Sequence, residues 1–152
     1  MANQTNEYPV AKNQFKVTWT DSQNNKTELS CTEVTGLDGT VEVKDYRTGN
    51  SLNLAPKRVP IGRTWPDVTL KRGVFKNIND FSEWFNKSPL PDPRNVTIIL
   101  YGNNMQTPIV TWELDKAVPK GFKSTDLNAT SNDIAMEEIT FAHEGLKVTF
   151  NK

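Results

Sequence analysis

Apolar and polar residues alternate along much of this chain, in short runs separated by turn-forming clusters. Phe15-Lys16-Val17-Thr18-Trp19 places three apolar side chains on one face of an extended segment and two polar ones on the other. That period of two is the mark of a half-buried strand. The cluster from Asp21 to Lys26 follows, and its asparagines suit the positive φ of a tight turn. A second strand is predicted over about Glu28 to Val34, and Gly36-Leu37-Asp38-Gly39 breaks it. Val41-Glu42-Val43-Lys44-Asp45-Tyr46 alternates again and opens a third strand. A fourth runs from about Thr64 to Phe75, with a corner expected at Lys71-Arg72-Gly73. Asn95–Tyr101 and Ile109–Leu114 read as a hairpin joined through Gly102-Asn103-Asn104. Ala117-Val118-Pro119 reads as a short edge strand and Ser124–Asn132 as a polar connection with a turn. Ile134–Ala142 and Leu146–Phe150 close the chain around a turn at Glu144-Gly145.

Two segments depart from the period of two. Phe81, Trp84 and Phe85 fall at i, i+3 and i+4, which makes one apolar face of a short helix. Asp80 is placed to cap it, with Glu83 three residues on, and Pro89, Pro91 and Pro93 end it. The other segment covers residues 46–66. Arg47-Thr48-Gly49-Asn50-Ser51 is turn-rich, and Pro56, Pro60 and Pro66 interrupt regular pairing because proline has no amide to donate. Leu52, Leu54, Val59, Ile61 and Trp65 are too apolar for a solvated linker. The expectation is an arm that becomes ordered against a neighbouring molecule.

About eight short strands and one helix, with no β-α-β rhythm, argue against a doubly wound parallel sheet. The pattern fits a single mainly β domain over residues 1–152, built as two packed antiparallel sheets or a partly open barrel with one helix at its side or end. No internal repeat is present.

Composition narrows the function. Lys+Arg and Asp+Glu each number 18, so formal net charge is zero. Nucleic-acid binders usually show a basic excess, so no nucleic-acid partner is indicated. Zero net charge also removes long-range repulsion between copies of the chain. Hydrophobic residues make up 36%, enough when only alternate strand positions face a core. Cys31 is the one cysteine, which fits a reducing compartment and a half-buried strand thiol. The polar start, Met1 to Glu7, lacks the apolar core of a signal peptide, and no stretch is long and apolar enough for a membrane anchor. The expectation is synthesis in the cytoplasm.

Candidate chemistry is sparse. His143, the one histidine, is expected as a turn residue whose ring bonds to backbone, since metal sites and zinc-protease helices need further ligands nearby. The pairs Glu42/Asp45 and Asp126/Asp133 read as solvated carboxylates, and no glycine-rich phosphate loop is present, so no cofactor is indicated. Three tryptophans, Trp19, Trp84 and Trp112, lie on patterned core faces. Trp65, in the arm, is read as free to meet a partner. The basic pairs Lys57-Arg58 and Lys71-Arg72 are candidates for salt bridges between subunits.

Several segments then resemble, in order, the inner-tube proteins of contractile phage tails, extracellular contractile injection systems and type VI secretion tubes. They are Tyr8-Pro9-Val10, Glu33-Val34-Thr35-Gly36-Leu37, Glu42 to Asn50, Leu70-Lys71-Arg72-Gly73, Val110-Thr111-Trp112 and Ala142-His143-Glu144-Gly145-Leu146. The resemblance spans about Tyr8 to Val148. It implies two roughly orthogonal antiparallel sheets, a barrel-like sandwich with one flanking helix. It further implies a non-enzymatic structural subunit that forms hexameric rings stacked into a tube. Sheath, baseplate and tube-initiator proteins would be its partners and effector cargo would pass through the lumen, in a bacterial particle that is membrane-anchored or released. The arm from Leu52 to Pro66 has its own spacing, and Ser124–Asn132 is unusually polar. Candidate inter-subunit and ring-stacking residues are Tyr46, Arg47, Asn50, Leu52, Leu54, Ile61, Trp65, Lys71 and Arg72. The alternatives are a monomeric carbohydrate- or protein-binding β module that uses Trp65, and an enzyme with a minimal site at His143.

Overall fold

A long kinked ribbon organises the molecule. The computed structural model describes residues 14–29, 31–49, 55–74, 80–102, 106–124, 126–130 and 132–151. The C-terminal half of strand β8 (Pro108–Ser124) runs antiparallel to β9 (Met136–Ala142), from Ser124↔Glu137 to Val118↔Ala142. Its first, N-terminal half pairs with β10 (Gly145–Phe150), from Asp115↔Gly145 to Val110↔Phe150. At the changeover Lys116 takes φ 49°, and the Glu144 amide donates to the Asp115 carbonyl at 2.9 Å. A non-glycine residue in the left-handed region breaks the ladder locally and turns the strand.

Each half of the ribbon carries its own strands. On the first half, β7 (Arg94–Tyr101) pairs with β8, β1 (Phe15–Thr20) with β7, and β2 (Lys26–Leu29) with β1. On the second half, β6 (Val68–Gly73) pairs with β9 and β3 (Glu33–Thr35) with β6. Every pairing is antiparallel, and the array does not close into a barrel. The remaining strands, β4 (Thr40–Tyr46) and β5 (Lys57–Thr64), form a separate two-stranded hairpin. Among the described residues there are thus ten strands and one helix, α1 (Asp80–Phe85).

The core lies between the two halves. Trp19, Val96 and Leu114 stand in one row across β1, β7 and β8, all essentially buried. Facing them, Leu70 pairs with Ile139 and Val68 with Phe141, also buried. Helix α1 closes one side. Its Trp84 ring lies 5.0 Å from Trp19 and 5.3 Å from Phe141, and its indole N–H donates to the Asp92 carbonyl at 2.8 Å. Burying each such side chain contributes roughly 1.5–3 kcal/mol, and offset or edge-on ring pairs add to that. The expected apolar face of α1 is seen, with Phe81 and Trp84 buried and Phe85 half-buried against Phe122.

Four sequence expectations are corrected. The second strand divides into β2 and β3, which join opposite halves of the array. Leu29 and Cys31 reach the core from odd positions but Val34 from an even one, so the alternation slips phase between them. The corner expected at Lys71-Arg72-Gly73 is absent, because β6 stays in register with β9 through Gly73↔Met136. The turn comes in β8 instead, and Ala117-Val118-Pro119 lies inside that strand. Finally, Pro60 does not break the arm: it sits opposite Val43, beside a bulge that takes up Ile61, a kind of position where a strand tolerates proline.

Candidate assembly surface

The β4–β5 hairpin is left uncovered by the rest of the described chain. Every residue of both strands is exposed, and among the described residues neither strand packs substantially on any other element. Val41, Val43, Tyr46, Val59 and Ile61 are all solvent-facing, Tyr46 at 56% and Ile61 at 50% exposure. Val41, Val43 and Pro60 share one face; Val59 lies opposite Lys44 on the other. An isolated two-stranded hairpin is marginal in water, and apolar residues on both its faces mark it for contact with another molecule.

The hairpin is aimed by two glycines at its base. Gly36 takes φ +89°, and a Cβ there would lie 2.1 Å from the Asp67 carbonyl oxygen. Only glycine tolerates both the left-handed backbone and that approach. At Gly39 a Cβ would meet the Trp65 ring at 2.6 Å. Trp65 therefore closes over the hairpin's root. It is half-buried, 6.3 Å from the His143 ring, and is not the free platform the sequence suggests. His143 matches its expectation: Nδ1 lies 3.1 Å from the Gly145 carbonyl and Nε2 3.1 Å from that of Pro66. It ties the β9–β10 turn to the segment leaving the hairpin.

The remaining predicted residues divide. Tyr46 and Ile61 belong to the hairpin and Arg47 follows it directly; Asn50, Leu52 and Leu54 lie outside the described residues. Lys71 and Arg72 are elsewhere, on β6. Arg72 is the one buried charged residue among the described residues, 5% exposed. Its Nη2 donates to Asp80 Oδ1 at 3.0 Å and its Nε to Glu137. Burial opposes its charge, but the two carboxylates more than compensate and push its pKa further up. Asp80, expected as a helix cap, accepts the Phe81 amide at 2.8 Å with the same carboxylate that holds Arg72. The charge of Arg72 is thus spent on locking α1 to β6 and β9, in place of the inter-subunit bridge expected of it.

Lys71 points to the opposite face of β6. Its ammonium is 3.5 Å from Glu33 and 3.4 Å from Glu138, and their fields, Glu33 first, raise its pKa. Elsewhere, burial pushes the Cys31 thiol up to about 11, which keeps it unreactive. Among the described residues no group of three or more His, Cys, Asp or Glu side chains is arranged to hold a metal, and no helix is long and apolar enough to cross a membrane. Sequence reading misses Val41 and Val43 as surface residues, whereas Val59 lies in the arm it expected to meet a neighbour. The alternation of Val41 and Val43 looks core-facing, and only the absence of a sheet beneath them distinguishes the two cases.

The T4-like virus tail tube protein gp19 family profile matches residues 11–147. The chain belongs to that family. Solved tube structures agree with the assignment. A chain from the anti-feeding prophage tube-terminating cap matches with a TM-score of 0.83 at 27% identity, covering 99% of this chain and 95% of that one. A chain from the sheath-tube complex of the extracellular contractile injection system PVC, in its extended state, matches at 0.82 and 26%, over 99% and 100%. Hcp1 from Flavobacterium johnsoniae shares the fold at 0.56 and 8%, over 90% and 96%. No curated protein sequence matches. This tail tube protein is a structural subunit of a phage-tail-like contractile machine.

Proposed function

We propose that this tail tube protein forms hexameric rings which stack through the β4–β5 hairpin into a tube, enclosed by a sheath and seated on a baseplate, with cargo carried in the lumen. The hairpin carries the reading: two strands without a buried residue, bearing five exposed large apolar side chains. A second copy that covered them would remove from water a part of the apolar surface that the fold leaves open. Stacked rings with obligate contacts of this kind bury on the order of 2,000 Å² or more per interface. Head-to-tail contacts whose rotation closes give the ring, and a second heterologous surface gives the stack. The sheath and baseplate partners are supported by the similar structures, which come from a sheath-tube complex and a baseplate.

The test is Val43→Asp combined with Ile61→Asp. Both sites are exposed, so the melting temperature should stay within about 2 °C, as surface substitutions shift stability by no more than about 0.5 kcal/mol. Tubes should be absent by negative-stain microscopy when the chain is produced with its sheath and baseplate components. Long, regular tubes from the double variant would overturn the hairpin's role.

A further inference from the structure

The one histidine of the chain sits where two carbonyl oxygens converge. His143 occupies the turn between β9 and β10 and is half-buried. Its Nδ1 lies 3.1 Å from the Gly145 carbonyl oxygen and its Nε2 3.1 Å from that of Pro66. Both partners are acceptors. A neutral imidazole has one N–H and one bare lone pair, so it satisfies one of these carbonyls and turns a lone pair on the other. The imidazolium has two N–H groups and donates to both. The two contacts differ in reach. Gly145 is two residues away in the same turn, whereas Pro66 is 77 residues away and follows the end of β5. The Pro66 contact is also the more exposed of the two.

We propose that His143 is a proton-operated clasp on the root of the β4–β5 hairpin. Charged, the ring bonds both carbonyls and fixes the segment leaving the hairpin against the β9–β10 turn. Neutral, it keeps its Nδ1–H on Gly145, within its own turn, and gives the Pro66 carbonyl up to water. The hairpin's direction then rests on the Gly36 turn and on Trp65 packed over Gly39. The clasp is closed at low pH and opens as pH rises through the range in which histidine side chains lose their proton, about pH 5 to 8. The charged groups around the ring do not oppose this. Glu144 in the same turn pairs with Lys116 of β8 at 3.6 Å, and Asp115 precedes that lysine. Asp67, next to Pro66, pairs with Lys120 of β8 at 2.7 Å. Asp38 lies in the stretch that passes beneath Trp65, and Arg63 lies near the end of β5. Basic groups do not outnumber acidic ones, so no excess of positive charge stands against an imidazolium. A hairpin already held in one direction loses less freedom when it docks, so a closed clasp favours stacking. That last step rests on the tube reading; the clasp itself does not.

The control is His143→Gln, because a glutamine amide donates from one end only and does not titrate. The two chains share every other titrating group, so a difference between them belongs to His143. Hydrogen exchange of the unassembled full chain, corrected for the intrinsic pH dependence of exchange, reads the clasp at the amides of residues 63–67. In the parent, protection there should be about five- to tenfold greater near pH 5.5 than near pH 8, the size of one net hydrogen bond. In His143→Gln it should be the same at both. Equal protection in the parent, or the same change in the variant, would overturn the clasp. If the variant does not fold, isotope-labelled histidine in the parent decides by magnetic resonance. Both ring protons should exchange slowly near the lower pH, and the Nδ1 proton alone near the higher. Ring protons that exchange as fast as those of free histidine at both would overturn it. Tube formation tests the last step. The parent's critical concentration should be several-fold lower near the lower pH, and that of His143→Gln should not move. A flat critical concentration beside a pH-dependent hairpin root would overturn the coupling to assembly. A parent chain that forms no tubes at either pH would sink the tube reading, and the exchange result would still decide the clasp.

Discussion

Arg72→Ala should destabilise the isolated subunit substantially. The guanidinium is 5% exposed and bridges Asp80 and Glu137, whose side chains are 20% and 22% exposed. Removing it leaves two carboxylates facing each other in a poorly solvated site. Breaking a buried pair by deleting one partner typically costs about 3–5 kcal/mol. The partial exposure of both carboxylates lets water reach them, which places the loss near the lower end, at about 3 kcal/mol. For a domain of this size that is a fall of roughly 6–12 °C in melting temperature. Circular dichroism on the unassembled chain, held apart by the hairpin substitutions, would measure it. The companion triple variant Arg72→Met, Asp80→Asn, Glu137→Gln should recover much of the loss, because it removes the unpaired charge along with the pair. A melting temperature for Arg72→Ala within about 2 °C of the parent, with tube formation abolished, would refute the reasoning and return Arg72 to the subunit boundary.

Other outcomes follow from single sites. Gly36→Ala combines a left-handed backbone with a clash against the Asp67 carbonyl, and should lose about 2–4 kcal/mol in a denaturant titration; an unchanged midpoint would mean that the turn relaxes freely. Asp92 is partly buried, which opposes its charge, yet hydrogen bonds from Arg94 and Lys87 win and hold its carboxyl below the ordinary range. A depressed carboxyl stabilises the fold above the unfolded pKa of about 3.9 and loses that contribution as pH falls through the folded value. The melting-temperature gap between the parent and Asp92→Asn should therefore be present at pH 7 and shrink below about pH 4; a gap that stays constant down to about pH 2 would rule out the linkage.

The sequence discloses those elements whose pattern arises from their own neighbours. β1, β7, β9, β10 and α1 are each visible because apolar residues recur at the period of the element, and β1, β7, β9 and α1 bury that face in the common core. The positive φ at Asn24 is visible from the turn cluster around it. What stays hidden depends on partners distant in the chain. No local feature of Lys71-Arg72 says that one side chain points out to Glu33 and the other in to Asp80; parity along β6 decides it, and parity requires the β6–β9 register. The kink of β8 at Lys116 is hidden for a similar reason, since lysine carries no sign of a left-handed backbone. The strand in the arm is hidden because Pro60 reads as a breaker unless a bulge is known to stand beside it. The resemblance to tube proteins identifies the class, but it cannot separate the hairpin residues from the buried Arg72 within its candidates.

That separation changes how stability and assembly divide along the chain. Arg72, Gly36 and Trp65 all serve contacts within one subunit: a helix locked to a sheet, a turn under a carbonyl, a ring over the hairpin's root. Val43 and Ile61 lie on a surface that the subunit leaves open. The two sets sit close together in sequence, Ile61 four residues from Trp65, but they act on different equilibria. Substitutions in the first set should change the melting temperature of a single subunit before any ring forms. Substitutions in the second should leave it alone and change only the concentration at which rings and tubes appear, because binding between copies enters stability by mass action. A series of variants from both sets, plotted as melting temperature against critical assembly concentration, should fall along two perpendicular arms. A single diagonal would mean that the subunit folds only as it assembles, and that the hairpin belongs to its fold after all.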